Sequence, residues 1–148
     1  MRIALAFALG LMLAGCATGY QPMGFTGGYS EVQLNADTYQ ITVAGNGYTS
    51  ADRAQKIALL RASELTLNAG YQRFVALSGN VSQQYAGNAP VVVNAFGNTA
   101  IASGGEPIMK PGGNLTIHFV KPSDPAFASA FDASLISAQL GPQLKPAQ

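Results

Sequence analysis

The first regular feature of the chain is an alternation of apolar and polar positions in residues 31–46. Tyr39, Ile41 and Val43 share one side of this segment, and polar or small residues share the other, which is typical of a half-buried β-strand. Apolar residues at 32 and 34 predict a short partner strand, joined to the first by an Asn-Ala-Asp turn. The strand is predicted to end at a Gly-Asn-Gly turn.

A helical period replaces the alternation after this turn and predicts a helix over Ala51–Asn68. Thr49 or Ser50 can supply its N-cap, and Gly70 suits the position just past its C-terminal end. A stripe of apolar positions is widened by further apolar residues, so we expect the helix to be largely covered. The stripe residues are Ala54, Ala58 and Leu65, flanked by Ala51 and Ile57.

Two more strands are predicted after the helix, at residues 73–77, with a possible extension to 85, and at 114–120. Residues 86–113 lie between them and are rich in Gly, Asn, Pro and Ala. This segment is longer than ordinary loops, so it is either mobile or a protruding hairpin. Residues 91–96 within it could pair as a strand.

A last helix is predicted to begin at Asp124 and Pro125, which fit the N-cap and first helical position. Phe127, Phe131 and Leu135 would form one apolar ridge on it. It is expected to end near Gly141-Pro142, followed by a frayed tail.

The order of these elements predicts an α+β fold. We expect a small single sheet of about three to five strands, covered by one central helix, plus a C-terminal helix. The first strand, the helix and the second strand can form a right-handed crossover, and the third strand is expected to pair with the second.

The N-terminal segment has the form of an export signal. Met1-Arg2 is followed by the apolar run IALAFALGLML, which is shorter than the roughly 20 residues that span a bilayer. The sequence LAGC at residues 13–16 resembles the bacterial lipobox. The resemblance implies that Cys16 carries a diacylglycerol, that cleavage occurs before Cys16, and that the new amine is acylated.

Alternatives for Cys16 are an incidental cysteine in a secretory peptide, or a metal or redox thiol. A metal needs several ligands and a redox pair needs a second thiol, whereas the chain has one cysteine and one histidine. Three acyl chains would give stable anchoring. Ala17 stands where inner-membrane retention would favour Asp, which by analogy with enteric lipoproteins indicates the outer membrane, with a periplasm-facing domain.

The expected organisation has four parts. Residues 1–15 are a lipoprotein signal peptide, and residues 16–29 are a lipidated tether that lifts the domain off the membrane, with its aromatic side chains tucked onto the domain. Residues 30–141 form the α+β domain with a Gly- and Asn-rich insertion near 86–113, and residues 142–148 form the tail.

Composition excludes several classes of function. Loss of Arg2 from eight basic residues would leave seven, against seven acidic residues, so no nucleic-acid-binding patch is expected. Only 10% of the residues are charged, compared with about 25% in an average domain. His118, on the polar side of a predicted strand, has no carboxylate near it in sequence, although a dyad could be assembled from distant segments. Nucleophile-elbow and phosphate-loop motifs are absent, so we expect no catalysis, no cofactor and no metal.

Arg61 falls within the apolar stripe of the helix and needs a partner if it is buried. Glu64 is three residues away and can reach it, which predicts a structural ion pair. The alternative is that Arg61 faces a groove and binds a ligand carboxylate.

Residues 46–57, NGYTSADRAQKI, resemble part of the peptidoglycan-binding helix of OmpA-like domains, N-x-x-L-S-x-x-R-A-x-x-V. The matching residues are Asn46, Ser50, Arg53 and Ala54. In that family the arginine binds a diaminopimelate carboxylate together with an aspartate in a T-D-x-x-G segment, which this chain lacks. Peptidoglycan binding through Arg53 is therefore the alternative function.

A longer stretch, roughly residues 16–77, resembles a family of small alphaproteobacterial lipoproteins of unassigned function. The shared segments are the lipobox, GGYS at 27–30, GNGY at 45–48, RASEL at 61–65 and GY at 70–71. The resemblance implies no activity but supports the lipoprotein prediction. We expect a structural or interaction role with an unidentified envelope protein, through the Gly-rich segment and the last helix.

Overall fold

The computed structural model describes residues 17–88, 92–96, 99–103 and 107–145. The predicted signal peptide and Cys16 lie outside the described residues.

Within these residues, the fold contains seven strands and two α-helices. The strands are β1 (Gly28–Asn35), β2 (Thr38–Ala44), β3 (Arg73–Asn88), β4 (Val92–Phe96), β5 (Thr99–Ser103), β6 (Pro107–Val120) and β7 (Phe131–Asp132), and the helices are α1 (Ala51–Asn68) and α2 (Ala133–Leu144). Five strands form one antiparallel sheet in the order β1-β2-β6-β3-β7. The predicted α+β class, with a single sheet, a central helix and a C-terminal helix, is confirmed.

The hydrophobic core lies between α1 and one face of the sheet. The alternation predicted for β2 is present and β6 alternates in the same way, because Ile41 and Val43 are buried together with Ile117 and Phe119. The helix contributes its buried apolar positions, chiefly Ala54, Ile57, Ala58 and Leu60. The bounds of α1 agree with the prediction, and Ser50 rather than Thr49 is the N-cap, since its side chain accepts from the amide of Arg53.

The sheet contains the strand pairing that was predicted and one further pairing of the same strand. β6 pairs with β3, as expected, and on its other edge it pairs with β2. The two strands joined by α1 are therefore separated by one strand. Local sequence patterns do not specify this, because either edge of β6 can accept a neighbour.

The Gly-rich insertion continues the sheet as a hairpin. The β3–β6 ladder extends to Asn88 and Pro107, and β4 pairs with β5. β2 stops at Ala44, opposite Gly112, so the ladder extends past the end of β2. We call this projecting part, residues 82–88 with 107–112, the ribbon.

The predicted last helix is wrong in its first half. The Asp124 carboxylate accepts from the amide of Lys121 and makes no cap contact, and only a short 3₁₀ helix follows, at Pro125–Ser129. The chain then becomes extended, and Phe131 pairs with Phe74 at the edge of the sheet. The predicted ridge therefore does not exist, because its first two residues are not in an α-helix.

The end of that helix is also later than predicted. α2 begins after Asp132, whose side chain accepts from the Leu135 amide, and it continues through Pro142 to Leu144. Leu144 is buried in the core, and the Lys145 amide bonds to the Gly141 carbonyl. Burial of a leucine, which contributes about 2 kcal/mol, holds this last turn where a frayed tail was expected. Residues 146–148 of the predicted tail lie outside the described residues.

Candidate functional site

The segment that follows Cys16 is fixed to the N-terminal end of α1. Thr18 is 1% exposed, and its amide donates to Thr49 Oγ1 at 2.8 Å. Its hydroxyl donates to the Thr26 carbonyl at 3.0 Å and accepts from the Asn46 amide at 3.0 Å. Its carbonyl accepts from Arg53 Nε at 2.9 Å. Every polar group of Thr18 therefore has a partner within the domain.

This arrangement changes the predicted role of the tether. Residues 17–27 are part of the folded domain rather than a free spacer. Tyr20 and Tyr29 pack against the core as expected, but Phe25 is fully exposed, so the prediction is wrong for that side chain. The chain between Cys16 and Thr18 can span at most about 7 Å. A group attached to Cys16 is thus held close to the N-terminal end of α1.

A network of charged and phenolic groups, which we call the ion network, joins Arg61, Glu31, Glu64, Tyr20 and Lys145. Arg61 contacts Glu31 through two nitrogens, with Nη2–Oε1 at 2.6 Å and Nε–Oε2 at 3.2 Å. Its Nη1 lies 3.2 Å from Glu64 Oε2. Tyr20 donates to the same Glu64 oxygen, and Lys145 donates to the other. The network therefore links the N-terminal segment, β1, α1 and the residue that follows α2.

Two aromatic rings lie over the cations of the ion network. The Tyr20 and Tyr29 ring centroids are 4.7 Å apart. Arg61 Cζ lies 4.8 Å from the Tyr29 centroid, and Lys145 Nζ lies 5.0 Å from that of Tyr20. Such contacts add cation–π attraction to the ion pairs.

Burial and hydrogen bonding together set the ionisation of the network. Burial raises the pKa of Glu64, but hydrogen bonds from Lys145 and Tyr20 outweigh it and hold this pKa below its ordinary value. Burial lowers the pKa of Arg61, yet the hydrogen bond to Glu31 leaves it above its ordinary value. Burial and Glu64 both raise the pKa of Tyr20. The Tyr20 phenol is therefore a donor, and Arg61 and Glu64 are charged.

The predicted pairing of Arg61 with Glu64 is confirmed. In the alternative, Arg61 would meet a ligand carboxylate, but the chain itself supplies two carboxylates, and the Arg61 side chain is 19% exposed. Sequence reasoning missed Glu31, Tyr20 and Lys145. No local signal indicates them, because they lie 30, 44 and 81 residues from their partners in the network.

Arg53 has a structural contact that the resemblance to OmpA-like domains did not indicate. Its Nε holds the Thr18 carbonyl, and its side chain lies at the N-terminal end of α1. Peptidoglycan binding through Arg53 stays a prediction. Pelleting of the protein with purified peptidoglycan tests it.

His118 has a carboxylate beside it that comes from a distant segment of the chain, a possibility that the sequence left open. The turn between β1 and β2 brings Asp37 Oδ1 to 3.4 Å from His118 Nδ1, and Thr38 Oγ1 to 3.1 Å from the same nitrogen. A catalytic triad needs a nucleophile at one ring nitrogen and a carboxylate at the other. Since both groups here face Nδ1, they do not form such a relay.

An apolar groove lies between α1 and the sheet, on the side nearest β7. Its volume is about 320 Å³, and its walls include Ala58, Leu59, Leu115 and Phe131. A Cβ at Gly79 would lie 2.8 Å from Leu115 Cδ1, so glycine there keeps the groove open. The lining has no titratable side chain. The groove can therefore hold an apolar group, but its lining offers no acid, base or nucleophile.

The described residues contain neither a group of metal ligands nor a membrane-spanning helix. Within residues 17–88, 92–96, 99–103 and 107–145, no three His, Cys, Asp or Glu side chains are grouped as metal ligands. No helix in this part of the chain is long and apolar enough to cross a membrane.

Comparison with known proteins adds no further assignment. No family model, no curated protein and no solved structure matches the chain. Function must therefore be argued from the geometry and from the sequence motifs.

Proposed function

We propose that this protein is a lipid-anchored envelope protein, attached to the bacterial outer membrane through Cys16, facing the periplasm, and serving a structural or protein-interaction role without catalysis. The observation that carries the proposal is the fixation of Thr18, two residues after Cys16. A domain joined so closely to its anchor has a set position relative to the membrane. That property suits a structural element of an envelope assembly better than an enzyme that must reach diffusing substrates.

The surface around the apolar groove supports an interaction role. Phe131 at its wall and Leu135 at the start of α2 both expose large apolar side chains. Apolar surface of this kind, next to a groove without titratable groups, is more typical of a contact surface than of an active site. An envelope protein is the partner we propose for this surface.

The anchor is tested by labelling cells with an alkyne-tagged palmitate and comparing the wild type with Cys16→Ser. Cys16 is the only cysteine, so a thioether-linked diacylglycerol can be attached at no other residue. We expect the wild type to carry the label and to sediment with outer membranes, and the variant to lose both properties. A wild-type protein without label would contradict the anchor.

The interaction role is tested by cross-linking intact cells and identifying what co-purifies with the wild type. A specific envelope protein should be captured, and its yield should fall in Phe131→Ser, whose substitution lies at the groove wall. Lys121→Ser, on the exposed turn after β6, is the matched surface control. Equal capture by both variants would show that the groove is not the contact surface.

A further inference from the structure

The turn that contains Phe25 stands beside Thr18. Gly24 and Gly27 close this turn with two backbone hydrogen bonds, at 3.1 and 3.2 Å. Gly27 has φ +96°, and a Cβ there would lie 2.3 Å from the Ala44 carbonyl, so the turn fits tightly against the end of β2. Phe25 at the tip of the turn is fully exposed. A phenyl ring is thus held in solvent on a well-braced turn.

A second exposed aromatic residue, Tyr48, lies on another turn that is bonded to Thr18. The turn that carries it is closed by a hydrogen bond from the Thr49 amide to the Asn46 carbonyl at 3.1 Å, and Tyr48 is 78% exposed. Both residues that close this turn also bond to Thr18. Phe25 and Tyr48 therefore both lie on turns that are bonded to Thr18, two residues after Cys16.

This end of the domain is almost free of charge. Residues 17–30 and 38–51 contain no Asp, Glu, Lys or Arg. Glu31, which pairs with Arg61, and Asp37 lie between these two segments. The charged residues that follow position 51 are Asp52, which pairs with Lys56 at 2.9 Å, and Arg53, which donates to Thr18. Exposed aromatic side chains on an uncharged surface fit the interfacial zone of a bilayer, where aromatic residues are enriched and charges are costly to dehydrate.

The ribbon projects from the same end of the domain. Five residues of β6, from 107 to 111, extend beyond the pair Ala44 and Gly112, which corresponds to about 17 Å at 3.3 Å per residue. The chain from Thr18 to Cys16 spans at most about 7 Å. When this end faces the bilayer, the ribbon must therefore reach the lipid. Lys110 is the one charged residue in the sequence of the ribbon, and residues 74–105 contain none.

We propose that the end of the domain bearing Phe25 and Tyr48 rests on the bilayer surface, with both rings in the interfacial zone. The inference rests on the proposed function, since the lipid on Cys16 is what brings this surface to the membrane. We assign this surface to a bilayer rather than to a partner protein because of where the chain goes. From Thr18, on this surface, the chain leads back to Cys16, which carries the proposed lipid. A lipid there leaves little room for a protein between the domain and the membrane.

The absence of tryptophan from the chain gives a direct test. Phe25→Trp and Tyr48→Trp each introduce a single fluorescent reporter into the lipidated mature protein. The matched control is Leu67→Trp, which is 39% exposed and lies near the other end of α1. With a rise of 1.5 Å per residue, position 67 is about 25 Å from the first turn of the helix.

Each variant is reconstituted into vesicles of phosphatidylethanolamine and phosphatidylglycerol, with and without brominated acyl chains. We expect bromine to reduce the emission of Phe25→Trp and Tyr48→Trp by about twofold and to leave Leu67→Trp unchanged, because only the first two positions lie at the interface. Equal quenching of all three, or of none, in protein that sediments with the vesicles would overturn the inference while leaving the anchor in place. Protein that does not sediment would overturn the anchor, and the inference with it.

Discussion

Arg61→Met is expected to lower the free energy of unfolding by about 3 kcal/mol, because it leaves two half-buried carboxylates without their shared cation. Glu31 and Glu64 have side chains that are 28% and 17% exposed, and both contact Arg61. Methionine keeps the apolar part of the arginine stem, so packing changes little. The partial exposure of these groups places the effect at the lower end of the range for buried pairs. Denaturant unfolding with an unchanged m-value measures it.

Lys56→Met is the matched control for this substitution. Lys56 also lies on α1 and pairs with Asp52 at 2.9 Å, but that pair is exposed. Exposed pairs of this spacing contribute only about 0.3–0.5 kcal/mol, so the control should be nearly neutral. If the two variants lost equal stability, the ion network would be no more than a set of surface pairs.

Thr18→Val is expected to cost about 2 kcal/mol and to release the N-terminal segment while the rest of the domain stays folded. Valine has the shape of threonine but lacks the hydroxyl, so the Asn46 amide loses its acceptor and the Thr26 carbonyl loses its donor. The released segment should become sensitive to limited proteolysis within residues 17–27. Unfolding curves and the masses of the proteolytic fragments report the two effects separately.

Thr42→Val is the control for the loss of a hydroxyl. Thr42 lies in β2 with its side chain exposed, where valine is at least as favourable as threonine. It should leave both stability and proteolysis unchanged. Similar behaviour of the two variants would mean that the contacts of Thr18 do not hold the segment.

The elements that could be predicted are those whose signal is local. α1 has a capping serine, a helical period and a terminal glycine with φ +81°, and all three agree with its bounds. β2 and β6 show an alternation that matches their buried faces. Local propensity and tertiary packing favour the same structure in these segments, so the pattern is sufficient.

The C-terminal region could not be predicted because its local signal and its tertiary contacts disagree. Asp124 followed by Pro125 is a reasonable helix start, but the chain instead places Phe131 against Phe74, with ring centroids 5.5 Å apart. That contact requires an extended segment at Phe131. The extended segment follows from the edge of β3 that β6 does not occupy, and no local sequence signal shows that edge.

Among the candidate site residues, spacing alone identified one pair. Arg61 and Glu64 lie three residues apart on a helix, so their contact follows from helical geometry. Thr18 carries no distinctive sequence signal, yet it holds the segment next to Cys16. Its importance depends on contacts with residues 28 and 31 positions away, which single-sequence patterns do not report.

The central claim is that the chain is held to the domain from Thr18 onward, directly after Cys16, the proposed lipid anchor. Hydrogen exchange of the lipidated mature protein in vesicles tests this most directly, because amides in stable hydrogen bonds exchange slowly. Thr18, Met23, Gly27 and Tyr29 all donate their amides to partners in the structure. We predict slow exchange from Thr18 onward. Exchange at the rate of an unstructured peptide through residues 17–27 would contradict the claim and restore a flexible tether.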